Sequence, residues 1–401
     1  MTITLTASER ERMHADYLHL HQTPELSMQE HETANWLAAR LDELDIENFR
    51  CGGTGVVGIL RNGEGPILGF RADTDALPIA EDTGLDYAST ATGTLEDGTV
   101  VPVMHGCGHD THMTALLTAV RWLDSNRDRW AGTLVILFQP GEETAAGARA
   151  MVEDGLWDRA PKPEIIIGQH VMPLQAGMVA LSTGTAMSMS DALRVTVFGT
   201  QSHGSQPQSS IDPIVLAAHT VTRLQTIVSR EIDPVDPAVV TIGTFHAGLK
   251  ENIIPDRAEF TVNVRTFRPE VRDAVLGAIR RIISAEAAAS AAPEPLVEEI
   301  YHFPLCFNEP AAAEEMRAAL QAELGADNVL NVPASMGSED FGALAAAIDV
   351  PSVYWFFGGF ELGEGAVPPV NHSPFFGPAM EPTLTTGTRA ALAGILARLA
   401  V

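Results

Sequence analysis

Between residues 103 and 113 the chain reads VMHGCGHDTHM, which sets His105, Cys107, His109, Asp110 and His112 almost side by side. Gly106 and Gly108 tolerate backbone angles that other residues avoid, so this loop can aim a thiolate and an imidazole at one ion. Mixed sulfur, nitrogen and oxygen donors favour zinc or a similar first-row metal. Further donors lie far along the chain: Asp73 and Asp75, the pair Glu142-Glu143, His170, and His372 in the turn Asn371-His372-Ser373-Pro374. A lone histidine after a strand is ordinarily structural, and a Glu-Glu pair is ordinarily a solvated face. The set as a whole points to metal. A divalent ion lowers the pKa of water that it binds, and a carboxylate beside it can take that proton. The product is a nucleophile for a carbonyl carbon. One glutamate of the pair can bind metal while its neighbour acts as base, provided that Pro140-Gly141 turns the chain tightly.

These residues follow short apolar runs. RADTD comes after Pro66–Phe70, QPGEE after Thr133–Phe138 and Gln169-His170 after Glu164–Gly168. In open α/β sheets, ligand sites collect outside the carboxyl ends of strands, so these segments can converge. Unbroken apolar strands at 55–60, 66–70, 133–138, 164–168 and 352–356 suggest a sheet covered on both faces. Residues 7–45 read as two helices interrupted at Pro24, and 112–124 as an amphipathic helix. Near residue 190 the pattern changes. Alternating strands at 192–199, 238–246 and 256–267, with helices at 212–229 and 269–290, suit a small antiparallel sheet with helices on one face. The expected domains are therefore 1–189 with 301–401, and an α+β insertion over 190–300.

The 401 residues are 45% hydrophobic and 19% charged, an ordinary globular balance that argues against a largely disordered chain. With 25 Lys+Arg against 52 Asp+Glu, the formal charge is −27, which repels phosphate backbones and anionic headgroups. No nucleic-acid or membrane partner is expected. Three cysteines, Cys51, Cys107 and Cys306, make no disulfide framework, and neither a secretory pattern nor a long apolar span is present. A cytoplasmic location is expected.

Taken in order, GFRADTDALPI (69–79), MHGCGHDTHM (104–113), FQPGEE (138–143), IGQHVMP (167–173), NIIPD (252–256), VRTF (264–267), GSEDFG (337–342) and NHSP (371–374) resemble the zinc aminoacylase/carboxypeptidase superfamily. The resemblance is to its branch of hippurate hydrolases, N-acyl-amino-acid amidohydrolases and auxin-conjugate hydrolases. It implies a metallopeptidase-like α/β fold with an inserted lid that commonly dimerises. It also implies two divalent ions, zinc first, with manganese, cobalt or nickel as alternatives. Their ligands would be Cys107, His109, Glu143, His170 and His372. Glu142 would be the general base, and Asp75 would orient a ligand. Asp73 stands where the wider superfamily has a histidine ligand and is assigned to no metal. His203 matches the lid histidine that helps hold the oxyanion, although Gln201-Ser202 and Pro207-Gln208 depart from the usual flanking residues. Asn252, Gly337 and Ser338 match positions that meet substrate. Arg265 is a cation for a carboxylate or, equally, half of a salt bridge within the lid.

The implied activity is hydrolysis of the amide bond of an N-acyl amino acid or similar small conjugate, by a homodimer or higher homo-oligomer. Two alternatives stay open: a thiol hydrolase with Cys107 as nucleophile and His109 or His105 as base, and a metal-binding relative without turnover.

Overall fold

In the computed structural model, which describes residues 3–363 and 365–401, the apolar runs become strands of one eight-stranded sheet. Its order is Glu47–Cys51, Gly55–Asn62, Gly132–Gln139, Ile67–Asp73, Ile165–Gln175, Ser352–Phe360, Val179–Leu181 and Val329–Asn331. The three strands that lead to the chemistry, Ile67–Asp73, Gly132–Gln139 and Ile165–Gln175, are parallel neighbours. Their carboxyl ends therefore open on the same edge, with Asp73 paired to Gln139. Both faces are covered. Leu134, Ile136 and Phe138 enter the main core together with residues of the helices Ala7–Gln22, His109–Ser125, Pro310–Leu324 and Met380–Leu399. Val135 and Leu137 are equally buried and, by strand alternation, point to the other face.

This sheet and its helices form the first unit, made of the chain up to Ala186, Cys306–Ala334 and Asp340–Val401. The second unit comprises Met187–Leu305 and Ser335–Glu339. It therefore begins before and ends after the 190–300 insertion, and it also takes in the short segment holding Gly337 and Ser338. Its four-stranded sheet runs Ala238–Ala247, Arg257–Thr266, Met189–Phe198, Leu296–Phe303, all antiparallel. Helices Pro213–Leu224 and Pro269–Ala289 supply Leu216, Val275, Ile279 and Ile283 to its core, opposite the alternating Ala258, Phe260, Val262 and Val264.

Strand Leu296–Phe303 is absent from the sequence pattern. A bulge explains why: Ala192 pairs with Tyr301 but Leu193 with Glu299, so Ile300 is skipped and the period of two breaks. Helix His109–Ser125 starts three residues earlier than expected, after Gly108 in the left-handed region at φ 80°. A Cβ on Gly108 would stand 2.4 Å from Val171 Cγ1, so both the angle and the space call for glycine. The early start puts His109, Asp110 and His112 on the first helical turn.

Candidate metal centre

Two sets of donor atoms meet at the sheet's carboxyl edge. Cys107, Glu143 and His372 each bring a ligand atom within 4.8 Å of the others, and so do His109, Glu142 and Glu143. Glu143 is common to both: its Oε1 lies 3.9 Å from His109 Nε2, and its Oε2 lies 3.3 Å from His372 Nε2. Cys107 Sγ is 3.4 Å from His170 Nε2. The structure thus brings together all five residues expected as ligands, with Glu142 beside them.

Each ring is oriented by one hydrogen bond: His109 Nδ1 donates to the Asp75 carbonyl oxygen at 2.8 Å, and His170 Nδ1 to the Val171 carbonyl oxygen at 2.6 Å, so each turns Nε2 toward the other donors. His109 Nε2 and Glu143 Oε1 are buried and have no hydrogen-bond partner. Buried polar atoms without partners are rare, and a cation between them would satisfy both. The electrostatics agree. Desolvation by itself lowers the His109 pKa, but Asp73, Asp75 and Glu143 outweigh it and raise it to about 10. Negative charge that attracts a proton so strongly also attracts a divalent ion. The donor set fits two metal ions.

A third cluster, Asp73, His109, His112 and His170, also has ligand spacing. Its hydrogen bonds engage two members. Asp73 Oδ2 accepts from Arg71 Nη1 at 2.6 Å, while Oδ1 accepts from His112 Nδ1. His112 Nε2 accepts the Val171 N–H at 2.7 Å. Both ring nitrogens of His112 are engaged, so it braces the site rather than ligates, and Asp73 is held in place by Arg71 and His112. Arg71, fully buried, ties this brace to Asp340 Oδ1 at 3.0 Å and Gln139 Oε1 at 2.9 Å. Asp110 faces the other way and accepts from His21 Nδ1 at 2.6 Å.

The glutamate pair sits in a single turn, Glu142–Thr144, between two left-handed residues, Gly141 at φ 57° and Ala145 at φ 55°. That tight reversal lets adjacent carboxylates serve one space. Asp75 Oδ2 accepts from the Glu143 N–H at 3.0 Å and from Ser27 Oγ at 2.6 Å. His372 differs from its partners: its side chain is 54% exposed, its backbone is left-handed at φ 66°, and its N–H is anchored on the Gly106 carbonyl at 2.8 Å. Asn371 Nδ2 reaches Cys107 Sγ at 3.6 Å.

Burial, helped by Glu143, Glu142 and Asp73, pushes the Cys107 thiol well above its ordinary pKa. That is the wrong direction for a nucleophile, which needs thiolate near neutral pH. A bound cation, by contrast, deprotonates a coordinating thiol outright.

Residues of the second unit form their own groupings. His203 pairs with Ile253 in a two-stranded ladder, its Nδ1 lies 2.7 Å from Ser205 Oγ, and the Asn252 carbonyl accepts from the Gly204 N–H at 2.8 Å. Arg265 Nη1 donates to the Met336 carbonyl at 2.6 Å and lies 3.4 Å from Ser338 Oγ; its Nε donates to Asn263 Oδ1 at 3.1 Å. These acceptors are neutral. The Gly337 carbonyl accepts from the Ser188 N–H at 2.8 Å.

Three supporting residues had no role assigned from the sequence: Ser27, Arg71 and Asn371. Only Arg71 left a signal, as a cation inside an apolar strand that must find partners to be buried.

Comparisons with known proteins agree with this geometry. Residues 69–392 match Peptidase family M20/M25/M40. An N-acetyl-L-cysteine deacetylase of Bacillus subtilis is 38% identical over 346 residues, covering 85% of this chain and 78% of its own. A hippurate hydrolase of Campylobacter jejuni is 37% identical over 327 residues, covering 80% and 82%. Among solved structures, a dinuclear metal-binding peptidase of the M20 family from Bacillus subtilis aligns with a TM-score of 0.77 at 30% identity, covering 98% of this chain and 99% of that one.

Proposed function

This chain belongs to peptidase family M20/M25/M40, and from that premise we infer that it is a metal-dependent amidohydrolase acting on N-acyl amino acids or similar small conjugates. The observation that carries the reading is the Glu143 carboxylate, whose two oxygens face His109 and His372 separately and so join two donor sets. Cys107, His109, Glu143, His170 and His372 would hold two divalent ions, zinc first, with manganese, cobalt or nickel as alternatives. Bound there, the ions would supply Lewis-acid polarisation of the scissile carbonyl and acidify the attacking water.

The chain's own groups do the rest. Glu142, buried and adjacent to Glu143, would take the water's proton and return it to the departing amine. Asp75 keeps His109 in place and pins the Glu143 peptide. On the resemblance, His203 would donate to the oxyanion. Asn252, Arg265, Gly337 and Ser338 would meet the substrate, with Arg265 and Ser338 already in contact. We place the protein in the cytoplasm as a homodimer or higher homo-oligomer. No helix among the described residues is long and apolar enough to cross a membrane.

Glu142→Gln should keep two ions per chain, by elemental analysis, and lose about 10²–10⁴-fold in amine release from a panel of N-acyl amino acids. Near-native turnover in that variant would remove Glu142 as base. A wild-type protein loaded with metal yet inert across the panel would favour the non-catalytic alternative.

A further inference from the structure

Glu142 lies in a one-turn segment, and a turn of that length does not aim a side chain by itself. The two peptide N–H groups on either side of it are both gripped by buried carboxylates. The Glu143 N–H donates to Asp75 Oδ2 at 3.0 Å, and the Gly141 N–H donates to Glu30 Oε1 at 2.8 Å. Glu30 comes from the loop between the first two helices, more than a hundred residues earlier in the chain, and is fully buried. Its Oε1 also accepts from the Met28 N–H at 2.9 Å, and its Oε2 from Thr54 Oγ at 2.5 Å. Met28 is itself left-handed at φ 61°, and its side chain closes on the turn, since a Cβ on Gly141 would stand 2.5 Å from Met28 Sδ. Ser27 completes the cradle through Asp75 Oδ2 at 2.6 Å.

A buried carboxylate that accepts only from neutral donors is an expensive way to tie down a loop. It makes sense where the tied peptide must not move. We infer that Glu30 is a positioning residue that aims Glu142 by holding the Gly141 peptide. The inference rests on Glu142 being the proton-transfer group. It assigns no ligand role to Glu30, whose hydrogen bonds reach Met28, Thr54 and Gly141.

The test is a double-mutant cycle on the metal-loaded enzyme. Glu30→Ala should lower kcat about tenfold to a hundredfold, leave KM within about twofold, and retain two ions per chain. Glu30→Gln, whose amide oxygen can still accept from Gly141 and Met28, should recover most of kcat. Glu30→Asp keeps the carboxyl group but is one methylene short, and should not recover it. In a Glu142→Ala background, Glu30→Ala should change the residual rate by less than about twofold, because the group it aims is gone. Equal effects of Glu30→Ala in both backgrounds, or a better rate from Asp than from Gln, would overturn the inference. If Glu30→Ala does not fold, the Gln and Asp pair decides alone. Substantial activity in the Glu142→Ala single variant would instead sink the general-base assignment, which separates the two failures.

Discussion

Replacing His21 with glutamine should destabilise the protein strongly at pH 6 and much less near pH 10. His21 is 1% exposed, with Nδ1 2.6 Å from Asp110 Oδ2 and Nε2 3.1 Å from Glu81 Oε1. Burial alone lowers its pKa, but hydrogen bonds to Asp110 and Glu81 raise it from 6.5 to about 10. At about 1.4 kcal/mol per pH unit, that span corresponds to roughly 5 kcal/mol. The folded protein holds this proton more tightly than the unfolded chain does. The contribution is therefore complete below pH 6.5 and is lost as pH rises through 10. Urea unfolding of both proteins, stripped of metal, at several pH values between 6 and 10 measures the difference directly. The gap between wild type and His21→Gln should shrink by several kcal/mol across that range. A constant gap would show that His21 is not a buried cation. The result bears on the candidate metal centre because Asp110 follows His109, a proposed ligand, on the same helical turn.

Two further outcomes follow from buried charge. Arg71→Met leaves Asp73 and Asp340 without their shared cation, and should cost about 3–5 kcal/mol in thermal or urea unfolding. In metal-stripped protein at pH 8, iodoacetamide should modify Cys107 far more slowly than a free thiol, and faster as pH rises, because burial and Glu143, Glu142 and Asp73 favour its protonated form. A fast rate independent of pH would revive a thiolate nucleophile.

Glu143 and His170 were legible in the sequence because strand ends announce themselves: an apolar run stops and polar residues begin. RADTD, QPGEE and QH each followed such a run, and parallel pairing brought their edges together. Their supports were not legible. Glu30 and Ser27 sit where a helix-to-helix loop ordinarily carries solvated or capping groups, and nothing local says that they reach Gly141 and Asp75. His112 looks like a ligand by type; only the Val171 N–H shows that its Nε2 lone pair is already taken. The insertion was visible as a change of period, whereas its last strand was hidden by the bulge at Ile300. Spacing reports residue type and local period, and long-range hydrogen bonds decide which atoms are left over.

Strand Ser352–Phe360 lies between Ile165–Gln175 and Val179–Leu181, which are consecutive in the chain. During synthesis the ribosome must deliver the whole second unit before this filler exists. Until then Ile165–Val171, buried residue by residue in the finished fold, has one flank without its parallel neighbour. An apolar strand with an open flank readily recruits other chains. The nascent protein is thus most exposed to aggregation while the insertion is being made, and chaperone demand should peak in that interval.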